Sequence, residues 1–146
     1  MNTLYVKTLP HGEDLPLPAY ATQMSAGLDL YSAHSVKILP HRRIMVPTGI
    51  SVQLPPDTVG YVHARSGRAK VEGLALPHGT GVLDEDYRGE LVVLLWNSDP
   101  DVPITITRGE KIAQLVIVPV IHVTVTTTEE LSPTDRDQGG FGSTGR

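Results

Sequence analysis

The segment "ELVVLLW", residues 90–96, is the clearest fold signal in this 146-residue sequence. It is apolar on both faces of an extended strand, and such a strand is covered on both sides. Twelve prolines and fourteen glycines punctuate similar runs along the chain. This spacing predicts an all-β, jelly-roll-like β-sandwich or barrel. The other runs are short and rich in β-branched residues: "VKIL" (36–39), "RIMVP" (43–47), "ISVQL" (50–54), "GYVHA" (60–64), "VPITIT" (102–107) and "KIAQLVIVPV" (111–120).

Two further segments complete the predicted domain. "SGRAKVE" (66–72) is the candidate for one short helix, with Ser66 placed to cap it. "HVTVTTTE" (122–129) alternates apolar residues with threonine, which predicts a half-exposed strand. We expect one domain over residues 1–130 and a flexible, glycine-rich C-terminal tail over residues 131–146. Since a small sandwich leaves one face of its outer strands open, the apolar run at 90–96 also favours an oligomer.

Composition excludes several classes of function. The formal charge of −4 argues against a nucleic-acid surface, although a small phosphorylated ligand remains compatible if a divalent metal offsets its charge. With no cysteine, the chain has no disulfide, thiolate nucleophile or cysteine-based zinc site. The sequence shows no secretory signal, and its longest apolar run, "LVIVPVI" (115–121), is too short to cross a bilayer. We expect a cytoplasmic protein with no membrane or nucleic-acid partner, whose six histidines lack metal-ligand spacing.

Two acidic stretches are candidate sites. "GVLDEDYRGE" (81–90) is the densest polar cluster, and it is compatible with a charged β-turn or with a functional site. In "SAGLDLYSA" (25–33), Asp29 lies between two leucines of a predicted strand. Its side chain therefore points away from theirs, either to solvent or into a polar site.

Two other stretches offer polar groups near strand ends, and a third remains unexplained. Arg65 ends a predicted strand, and the turn that follows it has N–H groups that could hold an anion. Gln114, in an apolar strand, needs a hydrogen-bond partner if it is buried and is otherwise a surface glutamine. The only phenylalanine, Phe141, lies in "DQGGFGSTGR" (137–146), whose composition is that of a flexible linker.

Taken together and in this order, five stretches resemble the motifs of the trimeric dUTPases, the dUTP nucleotidohydrolases. The resemblance implies a β jelly roll that forms a homotrimer with active sites at subunit interfaces. It also implies Mg²⁺-assisted hydrolysis of dUTP to dUMP and pyrophosphate, which lowers dUTP and supplies dUMP for thymidylate synthesis. The matching stretches are "AGLDLYSA" (26–33), "ARSG" (64–67), "GVLDEDYRGE" (81–90), "KIAQ" (111–114) and "DRDQGGFGSTG" (135–145).

The same resemblance implies a role for each matching residue. Asp84 corresponds to the acid that orients and deprotonates the attacking water, and Asp29 to the acid near Mg²⁺, which we expect to act through bound water. Tyr87 corresponds to the aromatic residue beneath the sugar, and Gly81 belongs to the hairpin whose backbone reads uracil. The remaining implied substrate contacts are Arg65, Ser66, Gly67 and Gln114 and, from the tail, Arg136, Phe141, Gly142, Ser143 and Thr144.

The sequence departs from the family pattern at three places. Arg68 and Asp137 stand where the family usually has leucine and glycine, and Pro77 with His78 lies in the uracil hairpin. Two other functions are compatible with the fold. A dCTP deaminase needs a glutamate at the position that aligns with Leu94, which cannot carry out acid–base chemistry. A non-catalytic jelly-roll binding module needs neither Asp84 nor the tail.

Overall fold

Short antiparallel strands build nearly all of the fold, in a computed structural model that describes residues 2–140. Within this range a single α-helix follows the sixth strand, and a 3₁₀ turn spans Pro10–Gly12. The elements are, in chain order, β1 (Tyr5–Thr8), β2 (Ala19–Tyr20), β3 (Leu28–Tyr31), β4 (Val36–Ile38), β5 (Arg43–Gln53), β6 (Thr58–His63), α1 (Ser66–Glu72), β7 (Leu74–Ala75), β8 (Gly81–Leu83), β9 (Glu90–Asn97), β10 (Ile104–Ile106) and β11 (Lys111–Pro119).

The strands form two main sheets around one hydrophobic core. One sheet has the order β1-β5-β9-β7 and the other β2-β3-β11-β6-β8, while β4 and β10 pair separately. Residues from both main sheets meet in the core, which confirms the all-β, jelly-roll-like prediction. Among the most deeply buried side chains are Leu30, Val46, Leu95, Ile106, Ile112 and Leu115.

Within a single chain, one face of β9 is buried and the other is only partly covered. Its side chains alternate, so that Leu91, Val93 and Leu95 are buried while Val92 is 43% exposed on the other face. On the neighbouring strand Met45, which pairs with Leu94, is 70% exposed. The outer face of the β5–β9 pair is therefore an apolar surface open to solvent in the isolated chain.

Three local expectations differ from the structure. The runs at 43–47 and 50–54 belong to one strand, β5, whose register with β9 is interrupted between Pro47 and Ser51. Residues 122–129 form no strand, because no other strand of the described chain pairs with them. The helix spans residues 66–72 as predicted, but Arg65 is its N-cap and no side chain caps it, so the predicted capping role of Ser66 is wrong.

Candidate active site

Asp29 is a buried acid held by two cations. Its side chain is 7% exposed, with Oδ1 lying 3.1 Å from Arg65 Nε and Oδ2 lying 2.7 Å from Lys111 Nζ. The Lys111 contact is an ion pair, and the buried Oδ2 has no hydrogen-bond partner among the described residues. Of the two alternatives left open by the sequence, Asp29 therefore points into a polar site.

Three adjacent strands bring this acid next to Gln114. In register across β3, β11 and β6, Asp29 pairs with Gln114, and Gln114 pairs with His63. The Gln114 Nε2 atom donates to the Ala64 carbonyl at 3.0 Å, which supplies the partner that a half-buried glutamine needs. A Cβ atom at Gly27 would lie 2.4 Å from Gln114 Oε1, so this glycine leaves room for the amide.

These groups line an open cleft of about 320 Å³, here called the Asp29 cleft. The structure thus brings together most of the residues that the resemblance assigns to phosphate and metal. No atom lies within 4 Å of the place a Cβ would occupy at Gly67, so this side of the cleft is open. The lining residues are Ala21, Ser25, Gly27, Asp29, Arg65, Ser66, Gly67, Arg68 and Gln114.

Arg68 lines the Asp29 cleft but is paired with two carboxylates, those of Glu72 and Glu110. Its Nε and Nη2 atoms donate to the two oxygens of Glu72, at 3.1 and 2.6 Å, and Nη1 lies 3.3 Å from Glu110 Oε2. The Arg68 side chain is only 15% exposed. Its one positive charge thus faces two negative charges, whereas Asp29 faces two positive ones. Around the cleft these six charges cancel.

A second cleft, here called the Asp84 cleft, has a volume of about 300 Å³ and contains the other acid. Asp84 follows β8 and is exposed, and its carbonyl accepts a hydrogen bond from the Tyr87 N–H at 3.2 Å. The acidic stretch is therefore a β-turn that also lines a cleft. Residues that line it include Leu76, His78, Gly81, Asp84, Tyr87 and Leu94.

The Tyr87 side chain folds back along its own turn. Its Oη donates to the Glu90 carbonyl at 3.0 Å, and the phenol lies over Gly89, where a Cβ would approach Oη to 2.4 Å. Only glycine at position 89 leaves space for this conformation. Tyr87 is 46% exposed and therefore remains accessible to a ligand.

The hairpin that leads into β8, which contains Pro77 and His78, also lines the Asp84 cleft. At Gly81 a Cβ would lie 3.2 Å from Val62 Cβ and 3.3 Å from His78 Nε2. At Gly81 the backbone of β8 therefore packs closely between Val62 of β6 and the His78 imidazole. The departure at His78 therefore places a side chain in the cleft.

The two clefts lie apart in one chain. They share no lining residue. Leu83 pairs with Gly60 on β6, so Asp84 lies beyond Gly60, whereas Arg65 follows the opposite end of that strand. The five residue steps of extended chain from Gly60 to Arg65 span about 16 Å. A single subunit consequently does not bring Asp84 to Asp29.

The tail reaches neither cleft within the described residues. Arg136 is exposed, and its Nε donates to the Gly139 carbonyl at 3.0 Å, inside a local turn. Asp137, where the family usually has glycine, has a φ of 41°, in the left-handed region that favours glycine. The predicted contacts Phe141, Gly142, Ser143 and Thr144 lie outside the described residues.

Sequence reasoning missed Lys111 as a partner of Asp29. Strict strand alternation puts residues 111 and 114 on opposite faces, because they are three positions apart. The structure has a register shift between Lys111 and Ala113, and this bulge lets Lys111 and Gln114 both reach Asp29. No pattern of residue types marks such a bulge in this strand.

Residues 2–140 hold no cluster of three or more His, Cys, Asp or Glu side chains able to bind a metal. Nor does this part of the chain contain a helix long and apolar enough to cross a membrane.

Comparison with known proteins gives one consistent result. The dUTPase family model matches residues 13–145. The deoxyuridine 5'-triphosphate nucleotidohydrolase of Corynebacterium diphtheriae is 52% identical over 132 residues, covering 90% of this chain and 87% of that protein. The enzyme of the same name from Methylocella silvestris is 46% identical over 147 residues, covering 98% of this chain and 91% of its own length.

Solved structures agree with this result. The dUTPase of Staphylococcus bacteriophage 80alpha with dUpNHpp superposes with a TM-score of 0.91 at 29% identity, covering 100% of both chains. A mutant dUTPase from phage phi11 of S. aureus, described with the coordination of a structural Mg(II) ion, gives 0.80 at 27% identity, covering 88% of this chain and 98% of that one. With four of its five motifs contributing to two clefts of a matching β fold, and a family model that matches residues 13–145, this chain belongs to the dUTPase family.

Proposed function

We propose that this protein hydrolyses dUTP to dUMP and pyrophosphate, lowering dUTP and supplying dUMP for thymidylate synthesis. The observation that carries the proposal is that the two clefts offer different chemical groups. The Asp29 cleft offers Arg65 for phosphate, and the Asp84 cleft offers a carboxylate and an aromatic ring for a nucleoside. Relatives with the dUTP nucleotidohydrolase name support this substrate.

The active unit, on this proposal, is a homotrimer whose sites combine two subunits. One subunit contributes its Asp84 cleft and another its Asp29 cleft, because β6 holds these clefts apart within a chain. The exposed apolar face around Met45 and Val92 supports such an assembly, since a large uncovered apolar patch marks an interface. Ile121, which is 86% exposed after β11, supports a role for the following segment between subunits.

In this composite site Asp84 orients the water that attacks the α-phosphorus and accepts its proton. The exposed carboxylate is free to accept a hydrogen bond from water. General-base assistance contributes about 10²–10⁴ in rate, so most of the acceleration comes from positioning and from neutralising charge. Arg65, already oriented by Asp29, donates to a phosphate oxygen with its remaining N–H groups.

Mg²⁺ fits the chemistry of the Asp29 cleft only if the triphosphate supplies most of its ligands. The described residues lack a cluster of protein ligands, and the one buried carboxylate already faces two cations. Asp29 Oδ2 has no hydrogen-bond partner and can accept one from a metal-bound water. When bound, Mg²⁺ neutralises charge on the phosphate oxygens. The residues of this chain then hold the phosphates in place.

Selectivity for the deoxynucleoside arises in the Asp84 cleft. We infer that the Tyr87 ring lies beneath the sugar and leaves no space for a 2′-hydroxyl. We infer that the hairpin that contains Gly81 presents its backbone to uracil and is too tight for a 5-methyl group. Cytosine presents a donor where uracil presents an acceptor, which leaves a backbone group unpaired.

The tail, residues 131–146, is proposed to close over a site when the triphosphate is bound. Its sixteen residues reach roughly 50 Å when extended, which is enough to cross to a neighbouring subunit. Phe141 stacks on the uracil ring, and Arg136 donates to the terminal phosphate. Gly142 allows close approach, while Ser143 and Thr144 donate to phosphate oxygens. The reaction belongs in the cytoplasm, where we place the protein.

The test is pyrophosphate release from dUTP, UTP, dTTP and dCTP in the presence of Mg²⁺. We expect dUTP to be hydrolysed far faster than the other three. Ammonia release from dCTP would instead indicate a deaminase, which Leu94 in the Asp84 cleft argues against. Binding of dUTP without release of pyrophosphate would indicate a non-catalytic module.

A further inference from the structure

Glu90, the first residue of β9, connects three parts of the chain. Its Oε1 atom lies 2.6 Å from His11 Nε2 and accepts the Gly49 N–H at 2.8 Å. The side chain is 23% exposed and also lines the Asp84 cleft. A carboxylate that accepts two hydrogen bonds at these distances is held more firmly than a surface glutamate.

These hydrogen bonds replace a missing part of the β-ladder. Between Pro47 and Ser51 the pairing of β5 with β9 is interrupted, and Gly49 within the gap has a φ of 71°. Its N–H donates to the Glu90 side chain, and Thr48 Oγ1 donates to the Leu91 carbonyl. Side chains therefore fix the beginning of β9 where backbone pairs do not.

His11 belongs to the 3₁₀ turn that docks onto the same gap. A Cβ at Gly12 would lie 2.1 Å from the Gly49 carbonyl oxygen, so the two backbones are in direct contact. The Leu9 N–H donates to that carbonyl at 2.8 Å. The N-terminal segment is thus fixed against β5. The His11 side chain extends from this fixed segment towards Glu90.

The carbonyl of the same Glu90 accepts the Tyr87 hydroxyl at 3.0 Å. Any movement of residue 90 consequently moves the anchor of the phenol. Gly89 lies directly beneath the ring, and the Glu90 carbonyl is the hydrogen-bond partner of the Tyr87 hydroxyl.

We propose that Glu90 and His11 are positioning residues that hold Tyr87 and thereby set the discrimination between deoxyribose and ribose. The inference rests on the proposed function, since it assumes that Tyr87 lies beneath the sugar. Neither residue needs to touch the substrate. Their effect passes from His11 to the Glu90 carboxylate, then through the Glu90 backbone to the Tyr87 hydroxyl.

The experiment measures the ratio of kcat/KM for dUTP to that for UTP. We expect Glu90→Ala to lower this ratio about fivefold or more, and His11→Ala about two- to threefold, since a hydrogen bond to a charged group is lost. Glu90→Gln keeps an acceptor oxygen for both donors and is expected to stay within about twofold of the original ratio. Glu13→Ala, an exposed acid two residues from His11, is the matched control and leaves the ratio unchanged.

A second readout does not depend on turnover. In protein labelled with ¹³C-tyrosine, the Tyr87 resonance, assigned with Tyr87→Phe, is expected to shift in His11→Ala and Glu90→Ala but not in Glu13→Ala. If Glu90→Ala does not fold, the exposed His11→Ala variant decides. An unchanged selectivity ratio with an unmoved Tyr87 resonance in His11→Ala overturns the inference. If that resonance moves in His11→Ala but the unmodified protein does not hydrolyse dUTP, the proposed function is refuted, while the positioning of Tyr87 by His11 and Glu90 stands.

Discussion

Asp29 and Asp84 lie in separate clefts of the same chain, at opposite ends of β6. Asp29 is buried between Arg65 and Lys111, whereas Asp84 is exposed on a turn beside Tyr87. A site that needs both acids has to take them from different subunits. The proposed activity and the proposed assembly therefore both depend on the separation of Asp29 from Asp84 within one chain.

Asp84→Asn tests the role of the exposed acid. The amide keeps the size of the side chain but cannot accept a proton from water. We expect kcat to fall by about 10²–10⁴, while the affinity for a non-hydrolysable dUTP analogue changes little. Steady-state kinetics and calorimetry separate the two effects. Retention of most of the rate would mean that another group activates the water.

Subunit mixing tests the composite site. Asp84→Asn and Arg65→Gln proteins are each expected to have little activity. Mixed trimers regain activity, because some sites then combine an intact Asp84 with an intact Arg65 from a neighbour. Random assembly of equal amounts restores about a quarter of the sites. Failure of verified mixed trimers to regain activity would argue that each site is built within one chain.

Much of the fold was predictable, because apolar runs between Pro and Gly residues mark strands wherever the chain pairs with itself. The segment at 122–129 has the same alternation but finds no partner strand among residues 2–140, and sequence alone does not distinguish these situations. Asp29 illustrates a second limit. Alternation predicts the direction of its side chain, but only the register of β3 with β11 shows that Lys111 covers it.

Arg68→Leu tests the charge balance of the Asp29 cleft. The change leaves Glu72 and Glu110 without their cation near the proposed phosphate site. We expect KM for dUTP to rise about threefold or more at low ionic strength, and the difference to shrink as salt screens the carboxylates. Lys70→Leu removes a charge from the exposed face of the same helix and serves as the control. A salt-independent effect would instead indicate lost packing.

Deletion of residues 132–146 tests the tail. We expect the fold and the oligomer to persist, because the core of the described residues lies before this segment. Hydrolysis of dUTP should fall sharply, and Phe141→Ala should cause part of that loss, since aromatic stacking on a base contributes about 1–3 kcal/mol. Phe141→Tyr retains a ring and should retain most of the rate. Full activity of the truncated protein would show that the tail is only a linker.

The most direct test of the central claim is hydrolysis of dUTP in H₂¹⁸O with Mg²⁺, followed by mass spectrometry of both products. Attack of water on the α-phosphorus puts one ¹⁸O into dUMP and none into pyrophosphate, and this is the result we predict, with UTP turned over far more slowly. Label in pyrophosphate, or equal rates for dUTP and UTP, would contradict the account.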